Sequence, residues 1–76
     1  MIVKRIYQKD NTIQWYECDF VIRVPKNEKD LEKFIMYKDK KLIGEIECDP
    51  GNGNGFTIFF LENGKTVDTF YWKVNK

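Results

Sequence analysis

The chain contains no histidine, only two cysteines and only two prolines among its 76 residues. Without histidine there is no Ser-His-Asp or Cys-His catalysis, and most zinc and iron sites lose their commonest ligand. Two cysteines are too few for a structural zinc site. No stretch approaches the roughly 18 apolar residues of a membrane helix. The opening "MIVKRIYQKD" has no apolar core of the kind a secretory leader needs. These absences lead to the expectation of a cytoplasmic protein with no membrane partner, whose thiols stay reduced. Net charge is also nearly missing: 13 basic against 12 acidic residues leave +1. No long-range field draws the chain toward nucleic acid or an acidic membrane.

What is present is apolar and aromatic: 42% hydrophobic residues, with 16% aromatic. A chain this short buries only about 60–65% of the surface it exposes when unfolded, so the core must be thin. Aromatic side chains deliver the most buried area per residue, which makes folding without a metal or disulfide plausible. With no composition shift and no linker, residues 1–76 read as one domain.

The dominant pattern is period two, the mark of strands. "TIQWYECDFVIRVP" (12–25) sets Tyr16, Cys18, Phe20, Ile22 and Val24 on one side and Glu17, Asp19 and Arg23 on the other. A strand that long should bend, and a bulge near Trp15–Tyr16 would bring the odd-numbered Ile13 and Trp15 into line. "KLIGEIECD" (41–49) alternates in the same way. "FTIFFLE" and "KTVDTFYWKV" flank Asn63-Gly64, a strong hairpin signal. A two-residue Asn-Gly turn would pair Phe60 with Val67 and Ile58 with Thr69. The preferred type I turn with a glycine bulge shifts the register by one and groups Phe56, Ile58 and Phe60 with Phe70, Trp72 and Val74. Phe59, Leu61 and Tyr71 then lie on the opposite side, either covered by another sheet or exposed as a contact patch; the thin core favours cover.

Residues 25–40 point two ways. Asn27 suits a helix cap, and Leu31, Phe34 and Ile35 fit helical spacing, whereas "KFIMY" is β-prone. The preferred reading is a short helical turn at 28–32 and a strand at 33–38; the alternative is α+β, with five strands and one helix at 28–37. The expected fold is therefore mostly β: an antiparallel meander of about six strands forming a curled sheet or a small SH3- or OB-like barrel.

The stretch "DPGNGNGF" (49–56) carries Asp49, Gly51, Asn52, Gly53, Asn54 and Gly55. Phosphate loops open a helix, and calcium loops need several carboxylates. Here a strand follows, and Asp49 is the one carboxylate. The loop reads as a mobile connection, with a role as a contact loop as the minority reading. The tripeptide Glu-Cys-Asp occurs at 17–19 and 47–49. Strand alternation points the sulfur away from its neighbouring carboxylates, which favours buried free thiols over a disulfide or a metal site.

No catalytic apparatus, cofactor site or metal site emerges, and the expectation is a non-enzyme. The leading functional expectation is a small protein-binding module. Its most concrete form is a phage- or mobile-element-type inhibitor that occupies a bacterial host or defence protein, as anti-CRISPR proteins do. The candidate contact residues are Trp15, Glu17, Asp19, Tyr37, Glu45, Glu47, Phe59 and Tyr71. If strands 12–24 and 41–48 are close, Glu17, Asp19, Glu45 and Glu47 form one acidic face. The first alternative is a single-stranded nucleic-acid binder using Trp15, Tyr37 and Phe59 as stacking platforms, although the strand after Gly55 has no basic residue before Lys65. The second alternative is an assembly subunit that pairs through an exposed edge strand.

Overall fold

The computed structural model of the chain describes residues 1–49 and 55–73. Seven strands are described: β1 (Ile2–Tyr7), β2 (Ile13–Glu17), β3 (Phe20–Val24), β4 (Lys33–Lys38), β5 (Lys41–Glu47), β6 (Phe56–Glu62) and β7 (Lys65–Trp72). They form two antiparallel sheets, one of four strands in the order β2-β1-β6-β7 and one of three in the order β3-β4-β5. The fold is mostly β, as the period-two pattern implies. It is not closed into a barrel, and it is not a simple meander, because β6 inserts beside β1.

The two sheets pack on each other through aromatic rings. Phe34 of β4 meets Phe60 at 5.6 Å and Phe70 at 4.9 Å between ring centroids. Val3, Cys18, Met36, Ile46, Cys48, Phe56 and Ile58 complete the buried centre. Both cysteines are buried free thiols. Arg5 points toward the interior from β1, where its guanidinium lies over Tyr7 and Phe56 at 4.6 and 5.3 Å and donates to Gln14 Oε1.

The long strand 12–24 is two strands, which raises the count from six to seven. The break falls at Cys18–Asp19 and not at Trp15–Tyr16. Successive amides along an extended chain point to opposite sides. Here Cys18 N–H donates to Met1 O at 2.9 Å, within the first sheet, and Asp19 N–H donates to Tyr37 O at 2.8 Å, in the second. The corner also changes which side chains face inward. Tyr16 and Cys18 turn to the core, but beyond the corner it is Val21 and Arg23 that do so, and Phe20, Ile22 and Val24 face outward.

No helix occurs among the described residues, so the 28–37 alternative falls. Asn27 does cap: its Oδ1 accepts the N–H groups of Lys29 at 2.8 Å and Asp30 at 2.7 Å. The segment 28–30 only bends, and no helical turn follows. Residues 33–38 form the strand expected there, held as a central strand by ladders to both β3 and β5. Two ladders of hydrogen bonds outweigh the helical spacing of three apolar residues.

The β6–β7 hairpin turns on Asn63 (φ 52°) and Gly64 (φ 77°), a two-residue turn with both residues left-handed. The register then shifts between Phe60 and Leu61, where Leu61 pairs with Thr66 and Phe60 with Asp68. The bulge thus sits on the strand at Val67, beyond the turn. It produces the expected grouping: Phe56 opposite Trp72 and Ile58 opposite Phe70, on the core side. Val74 lies outside the described residues.

Candidate protein-binding face

The ladder registers place side chains in three rows across the outer face of the four-stranded sheet. One row runs Ile13, Ile6, Thr57, Tyr71; the next Trp15, Lys4, Phe59, Thr69; the third Glu17, Ile2, Leu61, Thr66. Seven of these twelve positions are apolar or aromatic. Among the described residues no element packs over them: Ile2, Ile13, Trp15 (58%) and Tyr71 (69%) are exposed, and Ile6, Phe59 and Leu61 are half-buried. Of the two outcomes expected for Phe59, Leu61 and Tyr71, cover by another sheet and exposure as a contact patch, the preferred cover does not occur: the second sheet lies on the other side, against Phe56, Ile58 and Phe60.

At the centre of these rows stands Lys4, its Nζ 4.9 Å from the Trp15 ring centroid. Sequence reasoning passed over Lys4. Only the pairing of β1 between β2 and β6 sets it between Trp15 and Phe59, and no local pattern reveals that pairing. Glu17, the other charge in these rows, is drawn to the Nζ of Lys38 at 3.3 Å.

The four acidic candidates do not share one face. Glu17 ends β2 in the first sheet, and Glu45 and Glu47 project from β5 in the second. Asp19 sits at the corner, where its Oδ2 accepts the N–H of Asp39 at 2.8 Å and ties the corner to the β4–β5 turn. The expected single acidic face rests on strands 12–24 and 41–48 being neighbours, and the sheet order separates them. Tyr37 joins Glu45 and Glu47 on the outer face of the three-stranded sheet. The rows there run Phe20, Tyr37, Leu42; Ile22, Ile35, Glu45; Val24, Lys33, Glu47. Trp15 and Phe59 therefore share a face that Tyr37 does not. Of the glycine-rich loop, Gly51, Asn52, Gly53 and Asn54 lie outside the described residues, as does the expectation of loop mobility. Gly55 is described: its carbonyl accepts the N–H of Gln8 at 3.0 Å, and a Cβ there would meet Gln8 Oε1 at 2.8 Å and Trp72 O at 3.0 Å. Asp49 is partly buried at the start of the loop.

Between the free edges of β3 and β7 the sheets part over a groove of about 380 Å³, floored by Phe34, Phe60 and Phe70. Arg23 stands at its mouth, its guanidinium over Phe70 at 4.9 Å and its Nε 2.8 Å from Glu32 Oε1. Among the described residues no cluster of three or more Cys, Asp or Glu side chains is placed to hold a metal ion, and no helix is long and apolar enough to cross a membrane. Comparison with known proteins gives no matching family model, no matching curated protein and no matching solved structure.

Proposed function

We propose that the chain is a non-enzymatic protein-binding module that acts by occupying a partner, and that its contact surface is the outer face of the four-stranded sheet. One observation carries this reading: Trp15 and Tyr71 project from a face where seven of twelve positions are apolar and a single cation, Lys4, sits at the centre. Large uncovered apolar patches mark interaction sites. Tryptophan and tyrosine are the side chains that most often anchor protein interfaces. Lys4 suits a partner surface that is apolar around one carboxylate. Action as a small inhibitor belongs to the same proposal and rests on chain size and composition alone. The acidic-face version is weakened, since its four residues are divided between two sheets and a corner.

The test is a pulldown from bacterial lysate with immobilised protein and its Trp15→Ser/Tyr71→Ser variant. Both positions are exposed, so the variant should fold. The reading expects a retained partner that the variant loses, while reversal of Glu45 and Glu47 to lysine leaves retention unchanged. Retention that survives the double substitution overturns this face as the contact surface.

A second reading draws on the Lys4–Trp15 contact, since a cation beside an exposed aromatic ring also suits single-stranded nucleic acid. It is disfavoured by the aliphatic neighbours Ile2, Ile6, Ile13 and Leu61. A mobility-shift titration at low salt that gives a complex weakening as salt is added would favour it over a protein partner.

A further inference from the structure

We propose that β3 is a self-pairing edge, through which two copies of the chain join antiparallel about a two-fold axis at Ile22. Four strands end the two sheets: β2, β7, β3 and β5. Free edges offer unpaired backbone groups, and proteins guard them with charges, bulges and irregularity. Strand β5 has a register shift opposite Met36/Tyr37 and carries Lys41, Glu45 and Glu47. Strand β7 has its own shift beside Asp68 and begins with Lys65. Strand β2 ends on Glu17, which a two-fold about Trp15 would set against Ile13. Strand β3, Phe-Val-Ile-Arg-Val, is regular and rich in β-formers, and its one charge is turned away: Arg23 folds over Phe34 and Phe70 and binds Glu32.

The register follows from face parity. Pairing must match outward with outward side chains, so the numbers of paired residues must sum to an even value. A two-fold at Arg23 would oppose two guanidinium groups, and one at Val21 would draw in Asp19, which already holds the Asp39 amide. A two-fold at Ile22 uses the whole strand. It sets Phe20 beside the partner's Val24, Ile22 beside the partner's Ile22 and Val21 beside the partner's Arg23. These are aromatic–β-branched and aliphatic pairs, with no like charges opposed.

The same register fills the open side of the sandwich. The added strand lies about 4.8 Å beyond β3. Inward from it, the partner's Val21 comes over the groove floored by Phe34, Phe60 and Phe70, while each copy's Arg23 stays over its own Phe34 and Phe70. The contact is small, so the dimer should be weak and concentration-dependent. Each dimer would carry two copies of the Trp15–Tyr71 face, and the inference stands whether or not that face binds a protein.

Sedimentation velocity across a wide concentration range tests it. The wild type is expected to shift from monomer to dimer as concentration rises. Ile22→Lys and Ile22→Glu should each stay monomeric, and an equal mixture of the two should regain the dimer, whereas Glu45→Lys on the opposite edge should dimerise as the wild type does. A wild type that is monomeric throughout overturns the proposal, as does a dimer that survives Ile22→Lys or a mixture that fails to associate. Hydrogen exchange of the wild type gives a readout that needs no variant to fold. Protection of the β3 amides should rise with concentration, and concentration-independent exchange there would overturn the proposal equally.

Discussion

The rings of Phe20 and Tyr37 lie nearly parallel, 5.1 Å between centroids and 12° between planes, on the outer face of the three-stranded sheet. The two residues are directly opposite on β3 and β4. Such a cross-strand pair couples by about 0.5–1.5 kcal/mol beyond simple burial. Because Phe20 is 45% exposed, the lower end of that range applies. A double-mutant cycle with Phe20→Ala and Tyr37→Ala, read by urea unfolding, should give a coupling of about 0.5 kcal/mol. Strict additivity would show that the stack contributes nothing.

Phe34 is the side chain through which the two sheets hold together. It touches Phe60 and Phe70 across the interface, with Arg23 over its ring. Phe34→Ala should cost about 3–5 kcal/mol. A domain with so thin a core has a total stability near the low end of about 5–15 kcal/mol, so the variant should retain only about 0–2 kcal/mol and unfold at very low urea. Phe34→Leu keeps most of the volume and should fold with a lowered urea midpoint. A Phe34→Ala variant with near-native stability would mean that the sheets are held together elsewhere.

The β4–β5 turn holds an opportunity for stabilisation. Asp39 (φ 51°) and Lys40 (φ 63°) are both left-handed, and Lys38 pairs with Lys41, so this is a two-residue turn like the one at Asn63-Gly64. At its second position, however, it has lysine where the other has glycine. A left-handed conformation costs a residue with a Cβ about 1–2 kcal/mol. Part of the gain from glycine is lost to the freedom of the unfolded chain. Lys40→Gly should therefore raise stability by about 0.5–1 kcal/mol, and Gly64→Lys should lower it by a similar amount. An unchanged or lower melting temperature for Lys40→Gly would contradict the turn geometry.

These particulars show which parts of the fold the sequence carries. Strand 33–38, the alternation in 44–48 and the grouping of Phe56, Ile58 and Phe60 with Phe70 and Trp72 are local patterns, and each survives into the structure. Leu42, which the alternation sets beside Gly44 and Ile46, faces outward instead, because the register shifts opposite Met36/Tyr37. The corner at Cys18–Asp19 leaves no such trace. The period-two pattern runs through it without interruption, so Phe20 and Ile22 read as core residues when they face outward, and Arg23 reads as solvated when it faces the groove. The Trp15–Lys4–Phe59 row depends on β6 pairing with β1 across more than fifty residues of chain, and no spacing of residues encodes that contact. The acidic candidates show the same limit: alternation gives the side of the strand correctly, but it cannot say which strands lie together.

Burial pushes the Cys48 thiol up to about 11 from an ordinary 9.0, and the Glu32 carboxylate adds to the effect while Arg23 and Arg5 oppose it. Burial raises Cys18 as well. An unfolded thiol releases its proton near pH 9, and the folded Cys48 keeps its proton until about 11. Between those values the native chain binds more protons than the unfolded chain, so stability falls as pH rises. The contribution is complete below about pH 9 and is lost as pH passes the folded value near 11. The comparison is made with a variant that lacks this thiol, so that every other contribution is common to both proteins. Cys48→Ala should be less stable than wild type at pH 8 because it leaves a small cavity, yet its urea midpoint should decline less steeply from pH 8.5 to 11. Parallel declines in the two proteins would mean that the Cys48 thiol does not hold its proton through folding. The same protonation should make Cys48 slow to react with iodoacetamide at pH 8 in the native protein and fast in urea, since the thiolate is the nucleophile.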